Sequence, residues 1–202
     1  MDVLEFDVKT GRKTTLPVVA RRALRALSNA DVPFAVIGAV ALGARGLPRN
    51  TRDIDVVVTT DDAFEAIAAL RKAGFRSVTP IDEEEPAEAM YVLVHGKDEV
   101  DVLVTSGEPE STVIAEAPVT TVFGVKVPVA TLEHLVLMYL YSNQPRHFAD
   151  LARIVTETDA KIGEVERYLR EVHPEMLAVL KERVHAARNP PPPPPRPKRR
   201  RG

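Results

Sequence analysis

The sequence contains no cysteine, which excludes a disulfide framework and thiolate metal sites and fits a cytoplasmic protein. No stretch approaches the roughly 18 consecutive apolar residues that a membrane span requires, so no membrane contact is expected. The opening residues, MDVLEFDVKTGRK, carry acids and lack the apolar centre and small-residue cleavage site of a signal peptide. Gly-x-Ser-x-Gly, His-Glu-x-x-His and a P-loop lysine are all missing, so hydrolase and P-loop NTPase readings lack their usual residues. No internal repeat is visible.

What remains is an ordinary soluble composition, 45% apolar over 202 residues, the size of one domain with a helical appendage. Charge is unevenly spread. Without the five basic side chains of the last fourteen residues, the formal charge of −2 becomes −7. An acidic body argues against a protein that coats nucleic acid non-specifically. In the tail NPPPPPPRPKRRRG, Pro190 to Pro195 cannot enter a helix or sheet and favour an extended polyproline II spacer. Residues 189–202 are therefore expected to be a disordered Pro-rich basic tail, with Arg196 to Arg201 a solvated cationic end suited to RNA or an acidic partner.

The pattern predicts a helix over Thr15 to Asn29, with Pro17 in its first turn and an apolar stripe through Val19, Leu24 and Leu27. A short buried strand, Phe34 to Ile37, ends in Gly38 and leads into a brief helix, Val40 to Arg45, stopped by Gly46 and Pro48. Ile54 to Val58 is a second strand; the next helix runs from Asp61 to Ala73, capped by Thr60 or Asp61 and closed by Gly74. Further strands are expected at Phe75 to Val78, Met90 to Val94 and Val100 to Val104, with an acidic loop Asp82 to Glu88. A β-rich piece turns at Gly124. After Pro128 the composition changes to helix, with breaks at Pro145, near Gly163 and at Pro174. Strands early and helices late predict an α+β fold: a small mixed β-sheet core with helices over 1–129, then a C-terminal helical bundle over 130–188.

Side chains two apart on a strand share a face, so Asp53 and Asp55 project together while Ile54 and Val56 enter the core. Paired carboxylates repel each other unless a cation sits between them, and hard oxygen donors suit Mg²⁺. Gly38, at a strand end before a short helix, can bring backbone N–H groups close to phosphate. Arg49, Thr51 and Arg52 lie in the turn into the acidic strand. A third acid, Asp101, interrupts the run Val100, Val102, Leu103, Val104; if its strand neighbours the first, three acids converge, as phosphoryl or nucleotidyl transfer needs. Asp98 and Glu99 read as surface residues. The histidines, 95, 134, 147, 173 and 185, have no metal-binding spacing and read as surface or packing groups.

The order strand, Gly38, short helix, Arg49-x-Thr51-x-Asp53-Ile54-Asp55, then a strand aspartate at 101, resembles the polymerase-β-like nucleotidyltransferase superfamily. Within it the chain looks most like small bacterial proteins that include the toxin halves of abortive-infection toxin-antitoxin pairs. Pro128 to Leu135 is similar to the start of their helical part, and Gln144 to Leu151 resembles their Lys-Asp-x-x-Asp-Leu signature. The resemblance covers roughly residues 16 to 160. It implies that Asp53, Asp55 and Asp101 are the catalytic, metal-binding carboxylates, taking two Mg²⁺ ions or Mn²⁺. Gly38 and Ala39 would sit under an NTP triphosphate with Arg49 and Thr51 beside it, and Arg146 and Asp150 would reach the nucleotide or support the site. Ala39 stands where the family has glycine or serine, Arg146 replaces a lysine, His147 an aspartate, and Tyr139 a lysine. The implied activity is transfer of a nucleotidyl group from an NTP to a hydroxyl acceptor, tRNA, other RNA or protein, in a toxin held by an antitoxin. Small-molecule nucleotidyltransferases share the core, and a non-catalytic binding module that kept the fold is the reading from another class.

Overall fold

The computed structural model describes residues 16–80 and 90–190. Thr15, the acidic stretch 82–88 and the tail beyond Pro190, each assigned above from sequence, lie outside the described residues. The chain divides into two compact units, Met1–Met138 and Tyr139–Gly202. None of the described helices is long and apolar enough to cross a membrane.

The first unit is built on a five-stranded mixed sheet. In chain order its elements are α1 (Leu16–Asn29), β1 (Ala35–Ile37), α2 (Gly38–Ala44), β2 (Asp53–Thr59), α3 (Ala63–Lys72), β3 (Arg76–Ser77), β4 (Met90–His95) and β5 (Asp98–Thr105). There follow α4 (Glu110–Glu116), β6 (Val119–Val122), β7 (Val125–Pro128) and α5 (Leu132–Tyr141). The strands run in the order β1-β2-β5-β4-β3. β2 and β5 are parallel and every other neighbouring pair is antiparallel. The fold is α+β, as the early strands and late helices lead one to expect.

Period-2 alternation gives the sheet two unlike faces. Ile54, Val56 and Val58 of β2, Val100, Val102 and Val104 of β5, and Tyr91 and Leu93 of β4 are all buried. α1 covers this side with Leu16, Val19, Ala20, Ala23, Leu24 and Leu27, a stripe repeating every three or four residues. Each large side chain so enclosed contributes about 1.5–3 kcal/mol. The other face carries Asp53, Asp55, Asp101 and the half-buried Val92 and Leu103. Beside β1, the main chain after the β6–β7 hairpin adds a parallel bridge from Val36 to Val129, and Ala130 N–H donates to the Val36 carbonyl at 2.9 Å. That contact covers the edge of β1.

Two local expectations are corrected in this unit, and one element is new. α3 starts at Ala63, and its entry is held by Thr59 and Asp62, whose side chains hydrogen-bond at 2.6 Å, rather than by Thr60 or Asp61; β2 runs one residue further than expected and carries the hydroxyl with it. Asp98, read as a surface residue, is buried, because it shares strand parity with Val100 and Val102. α4 was not anticipated, although Pro109 followed by Glu110 is a helix-start signal.

In the second unit, α6 (Pro145–Glu157), α7 (Asp159–Val172) and α8 (Met176–Arg188) pack around Leu151, Ile154, Val155, Val165, Leu169 and Leu180. The breaks at Pro145 and Pro174 stand, but Gly163 lies inside α7 and the chain turns at Thr158 instead. An interior glycine costs a helix about 1 kcal/mol, and burial of Ile162, Val165 and Leu169 in the same helix outweighs that.

Candidate metal centre

β2 and β5 lie side by side in parallel register, and Asp55 is paired directly with Asp101. Paired residues on neighbouring strands point to the same side, with backbones about 4.8 Å apart, and Asp53 joins them from two residues earlier on β2. One carboxylate oxygen from each of Asp53, Asp55 and Asp101 falls within 4.8 Å of the other two. Asp55 is buried at 7% exposure, and Asp53 and Asp101 are half-buried. Three like charges so close repel strongly where water is partly excluded. The set is all oxygen, without imidazole or thiolate. It therefore fits a hard divalent cation such as Mg²⁺ or Mn²⁺ and is a poor match for Cu⁺ or structural Zn²⁺.

Gly38 closes one side of this cluster. It follows Ile37, which is paired with Asp55 across the β1–β2 ladder, and its φ is +62°. A Cβ at position 38 would overlap the outer oxygen of the Asp55 carboxylate and sit 2.6 Å from its Cγ. Both the backbone angle and the space therefore require glycine. Ala39, next in the chain, has its methyl buried in the core. Thr51 donates its hydroxyl proton to the Asp53 carboxylate, which fixes that side chain where β2 begins. Arg49 is half-buried, with Nη1 3.4 Å from the Asn50 carbonyl.

Arg146 and Asp150 belong to the other unit. Arg146 is exposed in the first turn of α6 and Asp150 is buried one turn later. Nearby, His147 Nδ1 lies 2.6 Å from Ser142 Oγ, and its ring stacks on Tyr139 with centroids 4.7 Å apart. Tyr139 and His147 thus form a packed pair.

Sequence reasoning gave Arg45 no role. At the C-terminal end of α2 its Nε donates to the Ala130 carbonyl at 2.9 Å and its Nη2 to the Val129 carbonyl at 2.6 Å. Burial lowers the pKa of this guanidinium and Glu133 partly restores it. The arginine ties the helix that starts at Gly38 to the segment after β7, so it steadies the glycine turn from behind. A cation at the end of a short apolar helix was the available signal. Next to it, Thr131 Oγ1 accepts from His134 N–H at 3.2 Å, and the imidazole reaches Glu116 at 3.5 Å. Burial holds the His134 pKa below the ordinary histidine value, against the opposing pull of Glu116.

No protein-family model matches this sequence, and no curated protein does. Among solved structures, the chain is similar to the antibiotic-resistance factor ANT(2″)-Ia in complex with adenylyl-2″-tobramycin. The two share 20% identity over 86% of this chain and 98% of that one, with a TM-score of 0.48. A Thermotoga maritima protein proposed to be a nucleotidyltransferase is 19% identical over 76% of this chain and 92% of its own, with a TM-score of 0.49. Another such protein from H. pylori is 14% identical over 84% and 88%, with a TM-score of 0.48. With scores below 0.5 these are loose likenesses of shape.

Proposed function

We propose that the protein is a divalent-metal-dependent nucleotidyltransferase. The observation that carries this reading is the set of three carboxylates within 4.8 Å of one another, beside a turn that admits only glycine. Asp53 and Asp55, with Asp101 shared, would hold the metal. A divalent cation held by these residues would supply positive charge to a triphosphate and its leaving pyrophosphate. In this reading the main chain at Gly38 and Ala39 would face the phosphates, and Arg49 would add positive charge on the approach to β2.

In the transfer, the acceptor oxygen attacks the α-phosphorus of the NTP. The bond from that phosphorus to the bridging oxygen breaks, and pyrophosphate departs with the electron pair. Asp101, across the ladder from Asp55, takes the acceptor's proton on a carboxylate oxygen. Thr51 keeps Asp53 from swinging out of the cluster. Arg146 and Asp150 are proposed to contribute from the helical unit, to the nucleotide or to the site's support.

The acceptor is a hydroxyl group of RNA, tRNA included, or of a protein, and the resemblance to abortive-infection toxins makes an antitoxin the natural regulator. A small-molecule acceptor is the second reading, since small-molecule nucleotidyltransferases share the core that the sequence resembles. Incubation with each α-labelled NTP, Mg²⁺ and either total RNA, protein extract or an aminoglycoside panel decides the acceptor by which fraction takes label. The enzyme reading fails if no fraction does and calorimetry detects no Mg²⁺-dependent NTP binding; the chain is then a binding module on this fold.

A further inference from the structure

On the side of the sheet away from the carboxylates, α1 turns an unusual surface outward. Its sequence, LPVVARRALRALSN, holds three arginines and no acid. Arg21, Arg22 and Arg25, with Asn29 and Ala73, line an open concavity of about 440 Å³. The position is fixed by His95, which has the strand parity of Leu93 and so lies on the face opposite Asp101. Arg22 Nη1 sits 3.0 Å from His95 Nε2 and donates to the Ala73 carbonyl at 3.4 Å. Arg21 Nε donates to the Phe123 carbonyl at 2.8 Å. Main-chain oxygens thus orient two guanidiniums without cancelling their charge. Arg25 is exposed, and among the described residues none of the three arginines forms an ion pair.

We propose that this groove docks the phosphodiester backbone of RNA. Arginine forks match phosphate oxygens, and Arg21 and Arg25, one turn apart, present charge about every 6 Å along the helix. A protein partner would want an apolar centre with charge at the rim. Here three of the seven lining residues are arginines, none is acidic, and Val18, Ala26 and Ala73 are small apolar neighbours rather than a large apolar centre; charge of one sign is what nucleic-acid interfaces carry. Apart from the basic tail, the remainder of the chain carries a net negative charge, which disfavours a nucleic-acid strand elsewhere. This docking requires neither the carboxylates nor the transfer reaction.

The test is fluorescence anisotropy of full-length protein with labelled mixed-sequence RNA at several salt concentrations. Four variants are compared: Arg25→Glu, Arg25→Gln, Asp55→Asn, and a chain whose basic residues at 196, 198, 199, 200 and 201 are replaced by glutamine. Arg25→Glu is expected to weaken binding at least about fivefold and to flatten the dependence of log affinity on log salt by about 1. Arg25→Gln should fall between it and the wild type, with unchanged melting temperatures in both. Asp55→Asn should bind RNA as wild type does, even where it is dead in transfer, and the tail variant should keep its sensitivity to Arg25→Glu. The proposal is overturned if wild type binds no RNA at low salt, if Arg25→Glu binds normally, if neutralising the tail alone abolishes binding, or if polyglutamate is held as tightly as RNA.

Discussion

Ile54 sits between Asp53 and Asp55 on one strand, and its side chain enters a dry apolar layer while theirs gather on the other side. Around Ile54 on the covered face, Val56, Val100 and Val102 with Leu93 and the α1 stripe make apolar contacts that are favourable without further help. On the acidic face like charges converge on each other and against a glycine turn, an arrangement that costs stability until a cation arrives. A one-residue step along β2 thus crosses from apolar packing to converging acids.

The largest expected effect tests the acidic side. Asp55→Asn should lower Mg²⁺-dependent nucleotidyl transfer at least about a hundredfold, since even outer partners of a metal ligand are worth about 10–100-fold. Its metal-free melting temperature should stay level or rise as repulsion is relieved. A fall in both would show that Asp55 is a structural residue and would dissolve the contrast. One position earlier, Ile54→Ala should cost about 2–5 kcal/mol in chemical denaturation while the surviving folded protein still titrates with Mn²⁺. Gly38→Ala should do both kinds of damage at once: a side chain at positive φ costs about 1–3 kcal/mol, and its methyl displaces the Asp55 carboxylate, so stability and metal affinity should drop together.

The smallest effect lies away from both faces, at His134. Because its folded pKa is below the unfolded value near 6.5, the unfolded chain binds the extra proton first. The stability due to the neutral ring is thus complete above about pH 6.5 and declines as pH falls through that value toward the lower folded pKa. Melting curves between neutral and mildly acidic pH should show this decline in wild type and a shallower one in His134→Asn.

Much of this was readable from the chain because it follows from periodicity. Alternation placed Asp53 and Asp55 on one side, and the isolated acid in the run Val100 to Val104 marked Asp101. That β5 lies next to β2 is a matter of long-range topology, which no local pattern contains; the sequence supports it only as a condition. Asp98 was misjudged because nearness to a turn was weighed above its parity with Val100. Gly163 was misjudged because a glycine in an exposed position breaks a helix only when burial on the opposite side is too weak. Arg45 escaped notice since its partners are main-chain carbonyls more than 80 positions away, and carbonyls leave no mark in a sequence.

β5 is the last strand of the five to be synthesised, yet it takes the place between β2 and β4. In a nascent chain that has emerged only as far as β4, β2 and β4 each lack the strand that joins them. Its β2 offers an unpaired edge flanked by Val56, Val57 and Val58, the kind of edge that recruits foreign strands, and it holds two of the acids without the third. Insertion of β5 closes that edge and brings Asp101 beside Asp55 in one event.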